Sequence, residues 1–446
     1  MLYTHILDCE GVAPSEVLMV GDNEHSDMQI PCDMGMHAFH VLKPVELARN
    51  VPRLGDLIDR AAHTKNLNEQ LTLGLIAREN FHAVFYPAFD PSALVPANPA
   101  AIGYSVLGPI ALAFAQWLSY TSLQDEMDRL YFLSREGQFL KTVYDRWAAH
   151  LPGALPSEYL VLSRRAVTVP MIVSLDDIHV IARARYFPNQ ISNFVFERFG
   201  LELDDERWQE LFAQDVWKKD RLVEVVDEKI DHLKPLLAAL SPQIIAQGEK
   251  ERPGLMAYLN QMGLSGEANA AVVDIGYAGT IQSRLNRLLM RKIHGYYMIT
   301  DQRAELVARQ HNVVVQGFFG HGITADANAP VLLAQSFVLE KLLSSDDAQV
   351  VRYSLDSAGG LASEHRELSD AELQTRQVRH EIHAGALKFV DDAIAVRNTL
   401  AQDFLIPPEV GNALYEAFMK CPSDTERAVI GALVLDDYYC GRGLVS

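Results

Sequence analysis

The stretch AAVVDIGYAGTIQSRLNRLL, residues 270–289, constrains the fold more than any other part of the sequence. Its apolar start, Ala270 to Val273, is typical of a buried strand. Gly276 and Gly279 then indicate a tight loop. After Thr280, which we expect to cap a helix, apolar residues recur at the spacing of one helix face. The stretch therefore predicts a strand, a glycine loop and a helix in succession.

This arrangement is suited to binding an anion such as a phosphate group. Glycines let backbone N–H groups approach a ligand closely, and a helix N-terminus adds a favourable partial charge. Asp274, at the end of the predicted strand, is the acid best placed to act as a general base, and it is our candidate catalytic residue. The alternative is an ordinary turn in which the glycines serve only the bend. The pattern alone leaves both interpretations open.

Two earlier predicted strands, 130–133 and 159–162, also end in short polar turns. The turn residues suited to holding a phosphate are Ser134, Arg135, Gly137, Ser163, Arg164 and Arg165. A fourth strand is predicted at 294–299. Because strands alternate with helices here, we predict an open, mostly parallel sheet, whose ligands bind beyond the carboxyl ends of the strands.

Such a sheet would bring these turns to one edge, next to Gly276, Gly279 and Thr280. Arginine suits this edge because its planar guanidinium group can bind two phosphate oxygens at once. We therefore predict that the turn residues and the glycine loop together bind the phosphate of a small molecule. The alternative is that the arginines pair with nearby acids such as Glu136 and Glu158.

The overall charge limits the classes of partner. A formal net charge of -19 over 446 residues argues against a general nucleic-acid surface, which needs a basic patch. The four cysteines have neither zinc-site nor disulfide-framework spacing, which fits a reducing cytoplasm. The longest apolar stretch, 102–118, is interrupted by polar residues and glycines, and we expect it to be a buried helix. We therefore expect a cytoplasmic protein without a membrane span.

The predicted organisation is α/β throughout. Residues 1–45 form a short strand–helix–strand fragment, and 46–80 a helical connector with proline breaks. Residues 81–330 form the α/β domain with the candidate phosphate site, interrupted by a helical insertion at about 175–265. Residues 331–446 are predicted to be mostly helical, with a loop around 354–372.

The first fragment carries a family resemblance. The segment SEVLMVGDNEHSDMQIPCDMGMHAFHV, residues 15–41, resembles the fourth conserved motif of haloacid dehalogenase-like hydrolases and the strand that follows it. The resemblance implies a partial Rossmann-like fold and a Mg²⁺ site, with Asp22 and Asp27 at the positions that hold the metal. Paired carboxylates at a loop edge also suit Mg²⁺ on chemical grounds.

The departure from that family matters as much as the match. Its nucleophile is an aspartate in a DxD motif on an earlier strand, and no such motif precedes residue 15 in this sequence. We therefore expect this chain by itself not to form a working hydrolase site, and any Mg²⁺ to bind weakly.

The later strands carry two further resemblances. The segments YFLSREGQFL, YLVLSRRAVTVP and VVDIGYAGTIQSRL resemble bacterial proteins in which a haloacid dehalogenase-like domain precedes an α/β domain, and which accompany surface-polysaccharide synthesis. The last segment is also similar to the sugar-phosphate loop of type I phosphoribosyltransferases. That family usually has two adjacent acids in the loop, whereas Asp274 is followed by Ile275.

Two classes of function follow from these patterns. In the first, the chain is an enzyme that handles a phosphorylated sugar or nucleotide at the second-domain strand edge. In the second, the same edge only binds a phosphorylated ligand and the protein organises a biosynthetic complex, as a homo-oligomer or with glycan-synthesis enzymes. Both predict an anionic ligand.

Overall fold

The computed structural model describes residues 2–81, 92–96, 98–214, 216–217, 221–326 and 328–445. The strands are β1 (Leu18–Gly21), β2 (His37–His40), β3 (Arg129–Leu133), β4 (Ser157–Leu160), β5 (Tyr186–Asn189), β6 (Val223–Val225), β7 (Ala270–Asp274), β8 (Ile293–Tyr297), β9 (Val315–Gly317), β10 (Val350–Leu355), β11 (Leu361–His365), β12 (Leu435–Asp436) and β13 (Leu444–Val445).

Helices account for more of the described chain than strands. They are α1 (Leu2–Glu10), α2 (Ile30–Asp33), α3 (Pro44–Arg49), α4 (Pro52–Thr64), α5 (Leu67–Asn80), α6 (Pro99–Ile102), α7 (Gly108–Gln124), α8 (Gly137–Ala148), α9 (Arg164–Thr168), α10 (Leu175–Ala182), α11 (Ile191–Phe199), α12 (Asp205–Ala213), α13 (Lys234–Gln261), α14 (Thr280–Leu289), α15 (Gln302–His311), α16 (Val331–Ala334), α17 (Ser336–Leu343), α18 (Asp370–Thr399), α19 (Pro408–Lys420) and α20 (Asp424–Gly431).

A five-stranded parallel sheet organises the fold. Its strands lie in the order β4-β3-β7-β8-β9, and each neighbouring pair is parallel. The chain winds outward from β3 to β4 and then returns to β7 on the other side of β3. This reversal leaves a crevice at the carboxyl ends of β3 and β7, where ligands of open α/β sheets bind. The predicted α/β class is confirmed, whereas β9 was not predicted.

Both faces of this sheet are covered. Phe132 on β3 belongs to a large hydrophobic cluster with α7, α8 and α18, while its neighbours Tyr131 and Leu133 belong to a cluster on the opposite face with α13 and α14. A strand buried on both faces needs apolar residues in succession rather than in alternation. For this reason β3, β7 and β8 could be predicted from short apolar runs.

The longest apolar stretch is a core helix. The helical segment Pro99–Gln124 is long and apolar enough to cross a membrane by composition, but 94% of its most apolar window is buried inside the protein. Glycines at 103 and 385 allow it to pack closely against α18. A side chain at Gly103 or Gly385 would collide with the backbone of the other helix. The expectation of a buried helix at 102–118 is confirmed.

The insertion at about 175–265 has a hydrophobic cluster of its own. Trp217 is buried there, with Trp208 and Phe212 packed against the cluster. The insertion was predicted to be helical, but it also contains a short antiparallel pair, β5 and β6. Its helix α13 runs through Pro242 and Pro253, residues of a type that usually ends a helix.

The C-terminal region is only partly helical. It also contains the hairpin β10–β11, part of which was predicted as a loop, and the small pair β12–β13. Helix α18 packs on α6, α7 and α8, and α19 packs on α7. The large hydrophobic cluster also takes in α4 and α5. The boundaries drawn from the sequence at 80 and 330 therefore do not coincide with breaks in the core.

The N-terminal strands pair with each other, as the sequence implied for a strand–helix–strand fragment. The pairing of β1 with β2 is parallel, with Leu18 opposite His37. Large apolar side chains remain open to solvent: Leu18 is 60% exposed, Val20 54% and Phe39 36%. Two strands alone therefore leave much of this small sheet uncovered.

Candidate functional site

Two adjoining cavities lie at the carboxyl edge of the five-stranded sheet. The smaller, of about 290 Å³, has more acidic than basic residues in its lining, and we call it the acidic cavity: the acids are Glu136, Asp274, Glu340, Asp436 and Asp437, and the basic residues Arg135, Arg164 and Arg442. The larger, of about 570 Å³, has more basic than acidic residues, and we call it the basic cavity: the arginines are Arg164, Arg183, Arg185, Arg284 and Arg303, and the acids Asp227, Glu228 and Asp274. The residues that line both, and so form their junction, are Arg164, Asp274, Gly276, Ile281, Tyr439 and Cys440. Together the two cavities occupy the crevice between β3 and β7.

The glycine loop after β7 forms part of this junction for a local reason. A Cβ atom at Gly276 would lie 2.4 Å from the carbonyl oxygen of Ile299, so only glycine fits. Gly279 has φ +65° and precedes α14 as its N-cap. Thr280, which we expected to be the cap, is instead the first helical residue and is exposed. The glycines thus serve the bend, and the bend places its backbone at the cavity edge.

Two of the three predicted phosphate-binding arginines are committed to ion pairs. Arg135 donates to Asp436 at 2.7 Å, and both side chains are largely buried. Arg165 pairs with Glu251 at 3.1 Å, where the side chains are 3% and 2% exposed. Arg165 lines neither cavity. A buried carboxylate stabilises a buried guanidinium group, and each of these arginines has one far away in the sequence.

The predicted serines and Gly137 serve the backbone. The Ser134 hydroxyl donates to the carbonyl oxygen of Leu162 at 2.7 Å and accepts from its N–H at 2.9 Å, which ties the ends of β3 and β4 together. The Ser163 hydroxyl accepts from the N–H of Ala166 and caps α9. A Cβ atom at Gly137 would lie 2.8 Å from the carbonyl carbon of Phe132. Gly137 therefore permits close packing of α8 on β3 and lies outside both cavities.

Arg164 is the predicted arginine that remains available to a ligand. It lines both cavities and is exposed over the side chain as a whole. Its Nη1 donates a long hydrogen bond to the Cys440 sulfur, at 3.9 Å. Burial disfavours the charged guanidinium group, but the nearby Cys440 and Glu340 outweigh burial and raise the pKa of Arg164. Arg164 is therefore charged and accessible at the junction.

Two carboxyl groups in the acidic cavity hold their protons unusually tightly. Burial, and next the carboxylate of Glu136, raise the pKa of Asp274 well above its usual range. The same two causes raise the pKa of Glu340 to about 7, and Tyr277 donates a hydrogen bond to Glu340 at 2.8 Å. A carboxyl group that exchanges its proton near neutral pH, as Glu340 does, suits general acid–base chemistry. Asp274 thus lies in the predicted site, with a second candidate acid beside it.

Tyr439 is a further group at the junction. Its side chain is buried, with the Arg198 guanidinium group 4.3 Å from the ring centre. Burial alone would raise the pKa of Tyr439, but Arg284 and Arg198 outweigh burial and lower that pKa to about 8. A buried phenol that ionises close to neutral pH is uncommon outside functional sites.

Sequence reasoning missed Arg284, Glu340 and Tyr439. Arg284 had a signal, because it lies one helical turn after Thr280 and so faces the same strand edge. Glu340 comes from α17 and Tyr439 from the turn after β12, and neither segment has a pattern that points to the sheet edge. Their place in the site depends on the path of the chain.

The predicted Mg²⁺ ligands already have protein partners. Asp22 pairs with Lys43 at 3.1 Å. The Asp27 carboxylate accepts from Asn23 N–H and from the Ser26 hydroxyl, which lowers the pKa of Asp27. Among the described residues, no group of three or more His, Cys, Asp or Glu side chains is arranged to hold a metal. These two residues do not by themselves fit a metal site, and Mg²⁺ binding stays a prediction.

Comparison with known proteins adds no family to these observations. The chain matches no protein-family model. A search of curated proteins found no significant match either. The function proposed below therefore depends on the geometry of the two cavities.

Proposed function

We propose that the protein handles a phosphorylated sugar or nucleotide in the two cavities between β3 and β7. One observation carries this proposal: Arg164, charged and open to solvent, lies beside the Gly276 loop in the crevice where open α/β sheets bind their ligands. A guanidinium group at such a place suits a phosphate.

The raised pKa values of Asp274 and Glu340 favour an enzyme over a passive binding protein. A carboxyl group that keeps its proton near neutral pH can protonate a leaving oxygen, and its ionised form can take a proton from an attacking hydroxyl. We propose that these two residues are the acid–base pair for transfer or hydrolysis at a phosphorylated substrate. Phosphoribosyl transfer is a second candidate reaction, because the order of strand, Asp274 and glycine loop at the cleft suits a sugar phosphate.

The context of this activity rests on resemblance. The similarity of residues 15–41 to haloacid dehalogenase-like hydrolases, and of the later strands to proteins of bacterial surface-polysaccharide synthesis, supports a role in that process in the cytoplasm. The exposed apolar side chains of β1 and β2 support association with another copy or with a glycan-synthesis enzyme. A scaffold that binds a phosphorylated precursor without catalysis is the alternative.

Ligand-induced stabilisation of the purified full chain tests the proposal. Inorganic phosphate, hexose phosphates and nucleotides would each be titrated while the melting temperature is followed. We expect at least one phosphorylated compound to raise it, as a ligand that binds only the folded state must. If none stabilises the protein at millimolar concentration, the phosphate-handling function is wrong. If one does, loss of its turnover in Asp274→Asn with retained binding supports the enzyme over the scaffold.

A further inference from the structure

The guanidinium groups around Tyr439 lack close ion-pair partners. Among the residues that the structure describes, Arg164, Arg198 and Arg284 form no ion pair with an acidic side chain. Arg198 is fully buried and donates to the carbonyl oxygens of one residue of α10 and two of the loop after it, while its Nε atom has no partner among the described residues. Arg284 donates to the carbonyl oxygen of Arg164 at 3.3 Å. In a chain with a net charge of -19, three unpaired arginines at one place call for an anion.

The electrostatics of the cluster point the same way. Burial, together with repulsion from Arg164 and Arg198, lowers the pKa of Arg284. The same excess of positive charge favours the ionised phenol of Tyr439. The Tyr439 hydroxyl is buried at the junction of the cavities, where Arg284 and Thr168 lie close enough to favour its ionised form, but it makes no well-aligned hydrogen bond to another described residue. A bound anion would balance the guanidinium groups and accept a hydrogen bond from this hydroxyl.

Two other arginines of the basic cavity, Arg185 and Arg303, already have partners. Arg303 is already paired with Asp301 at 2.5 Å. Arg185 lies over the ring of Phe187, 4.5 Å from its centre. The anion is therefore expected at the junction, next to Arg164 and Arg284.

The acidic cavity is better suited to hydroxyl groups than to an anion. Apart from Arg164, the arginines in its lining are already paired, Arg135 with Asp436 and Arg442 with Asp437. The carboxyl groups of Glu136, Asp274 and Glu340 can accept hydrogen bonds from hydroxyl groups, and their protonated forms can also donate them. The volume of about 290 Å³ lies near the lower limit for small-molecule sites, which suits one sugar ring. A molecule with a phosphate at one end and several hydroxyls at the other matches both cavities.

We propose that the cleft binds a monosaccharide phosphate, with its phosphate held by Arg164, Arg284 and the Tyr439 hydroxyl and its sugar hydroxyls held by the carboxyl groups of the acidic cavity. This inference rests on the proposed function and names its substrate class. It also changes the phosphate-binding residues predicted from the sequence. Of the three predicted arginines, only Arg164 is part of the proposed site.

Binding measurements by calorimetry separate the two halves of the site. The probes are inorganic phosphate and a panel of aldohexose 1- and 6-phosphates with the matching free hexoses. In the parent protein we expect one hexose phosphate to bind more tightly than phosphate. In Arg284→Ala, affinity for both should fall by about ten- to a hundredfold, since a charge-assisted hydrogen bond contributes about that much. In Glu340→Gln, affinity for the hexose phosphate should fall while that for phosphate holds.

Matched variants guard against indirect effects. Arg287→Ala removes an arginine from the same helix that is paired with Asp177 outside the cavities, and Tyr438→Phe removes the neighbouring hydroxyl. Both should bind the probes like the parent. Should Arg284→Ala fail to fold, Arg284→Lys keeps the charge and loses the planar fork, and it should still weaken phosphate binding.

The outcomes distinguish this inference from the function on which it rests. Parent-like phosphate binding in the folded Arg284 variants would overturn the phosphate half, and the proposed function would survive. No gain in affinity from any hexose, or equal losses for both probes in Glu340→Gln, would overturn the sugar half. A parent protein that binds no phosphorylated compound, nucleotides included, would remove the proposed function itself.

Discussion

The N-terminal fragment and the edge of the five-stranded sheet differ in almost every respect that matters for function. The fragment carries the clearer motif, since residues 15–41 resemble a catalytic segment of a known family. Its Asp22, however, is exposed and paired with an exposed lysine. The sheet edge carries only weak motifs, yet it encloses charged and titratable groups from segments that are far apart in the chain.

This difference shows that the surroundings of a residue, and not only its sequence motif, determine its chemical properties. Burial and neighbouring charges shift the pKa values of Asp274, Glu340 and Tyr439, because each group is taken out of water and held near fixed charges. Asp27 shows the contrast: its pKa is lowered mainly by hydrogen bonds from the adjacent Ser26 and Asn23. Large pKa shifts of this kind require burial near fixed charges, and the sheet edge provides both.

The largest expected effect concerns a residue that the sequence placed in the site. Arg165→Met should lower the free energy of unfolding by roughly 3–5 kcal/mol, because it leaves the Glu251 carboxylate buried without a partner. Chemical denaturation measures this. The double variant Arg165→Met, Glu251→Met should recover much of the loss, and Arg129→Met, at an exposed pair with Glu158, should cost less than about 1 kcal/mol. A small effect of Arg165→Met would return Arg165 to the ligand-binding candidates.

Arg164→Ala should behave in the opposite way. We expect affinity for the stabilising phosphorylated compound to fall by about ten- to a hundredfold, because a charge-assisted hydrogen bond is lost. The unfolding free energy should change by less than about 1 kcal/mol, since Arg164 has no carboxylate partner among the described residues. Calorimetry and denaturation on the same preparation give both values. A large loss of stability with unchanged affinity would make Arg164 structural like Arg165.

The pH dependence of binding sharpens the comparison further. Tyr439 has a pKa of about 8, and a bound phosphate dianion must raise it because it favours the neutral phenol. Affinity should therefore fall several-fold as the pH rises from 8 to 9.5, where phosphate itself no longer titrates. The charged and titratable groups that face Tyr439 there are Arg164, Arg198, Arg284 and Cys440, whose thiol pKa is raised by burial.

Two measurements check this dependence. Absorbance at 295 nm should show one tyrosine that titrates near pH 8 and is missing in Tyr439→Phe. The same variant should lose most of the fall in affinity, whereas Tyr438→Phe should keep it. A Tyr439→Phe protein with the parent's pH profile would contradict the assignment.

The smallest effect is expected in the N-terminal fragment. Asp22→Asn should change the unfolding free energy by less than about 1 kcal/mol, because its ion pair with Lys43 is exposed. The parent chain should show no appreciable Mg²⁺-dependent hydrolysis of p-nitrophenyl phosphate, since residues 15–41 supply no nucleophile. Turnover that disappears in Asp22→Asn would mean that a hydrolase site forms after all, and that exposed residues of the N-terminal fragment can be catalytic without burial.

The sequence by itself determined the elements that depend on local pattern. Strands β3, β7 and β8, the glycine loop at Gly276 and the helix after it were predictable, because a strand buried on both faces must be a continuous apolar run. The same pattern put Asp274 and Arg164 at the correct edge. Helix ends were less predictable: Pro242 and Pro253 lie within α13.

Only the tertiary structure decided which charges meet. Arg135 and its partner Asp436 are 301 residues apart, and Arg165 and Glu251 are 86 apart. An arginine at a strand end has the same local sequence whether it faces a ligand or a carboxylate. The strength of an ion pair depends on distance and on exclusion of water, and both are set by whichever segment packs there. For the same reason Tyr439, on the turn after β12, entered the site without any signal in the sequence.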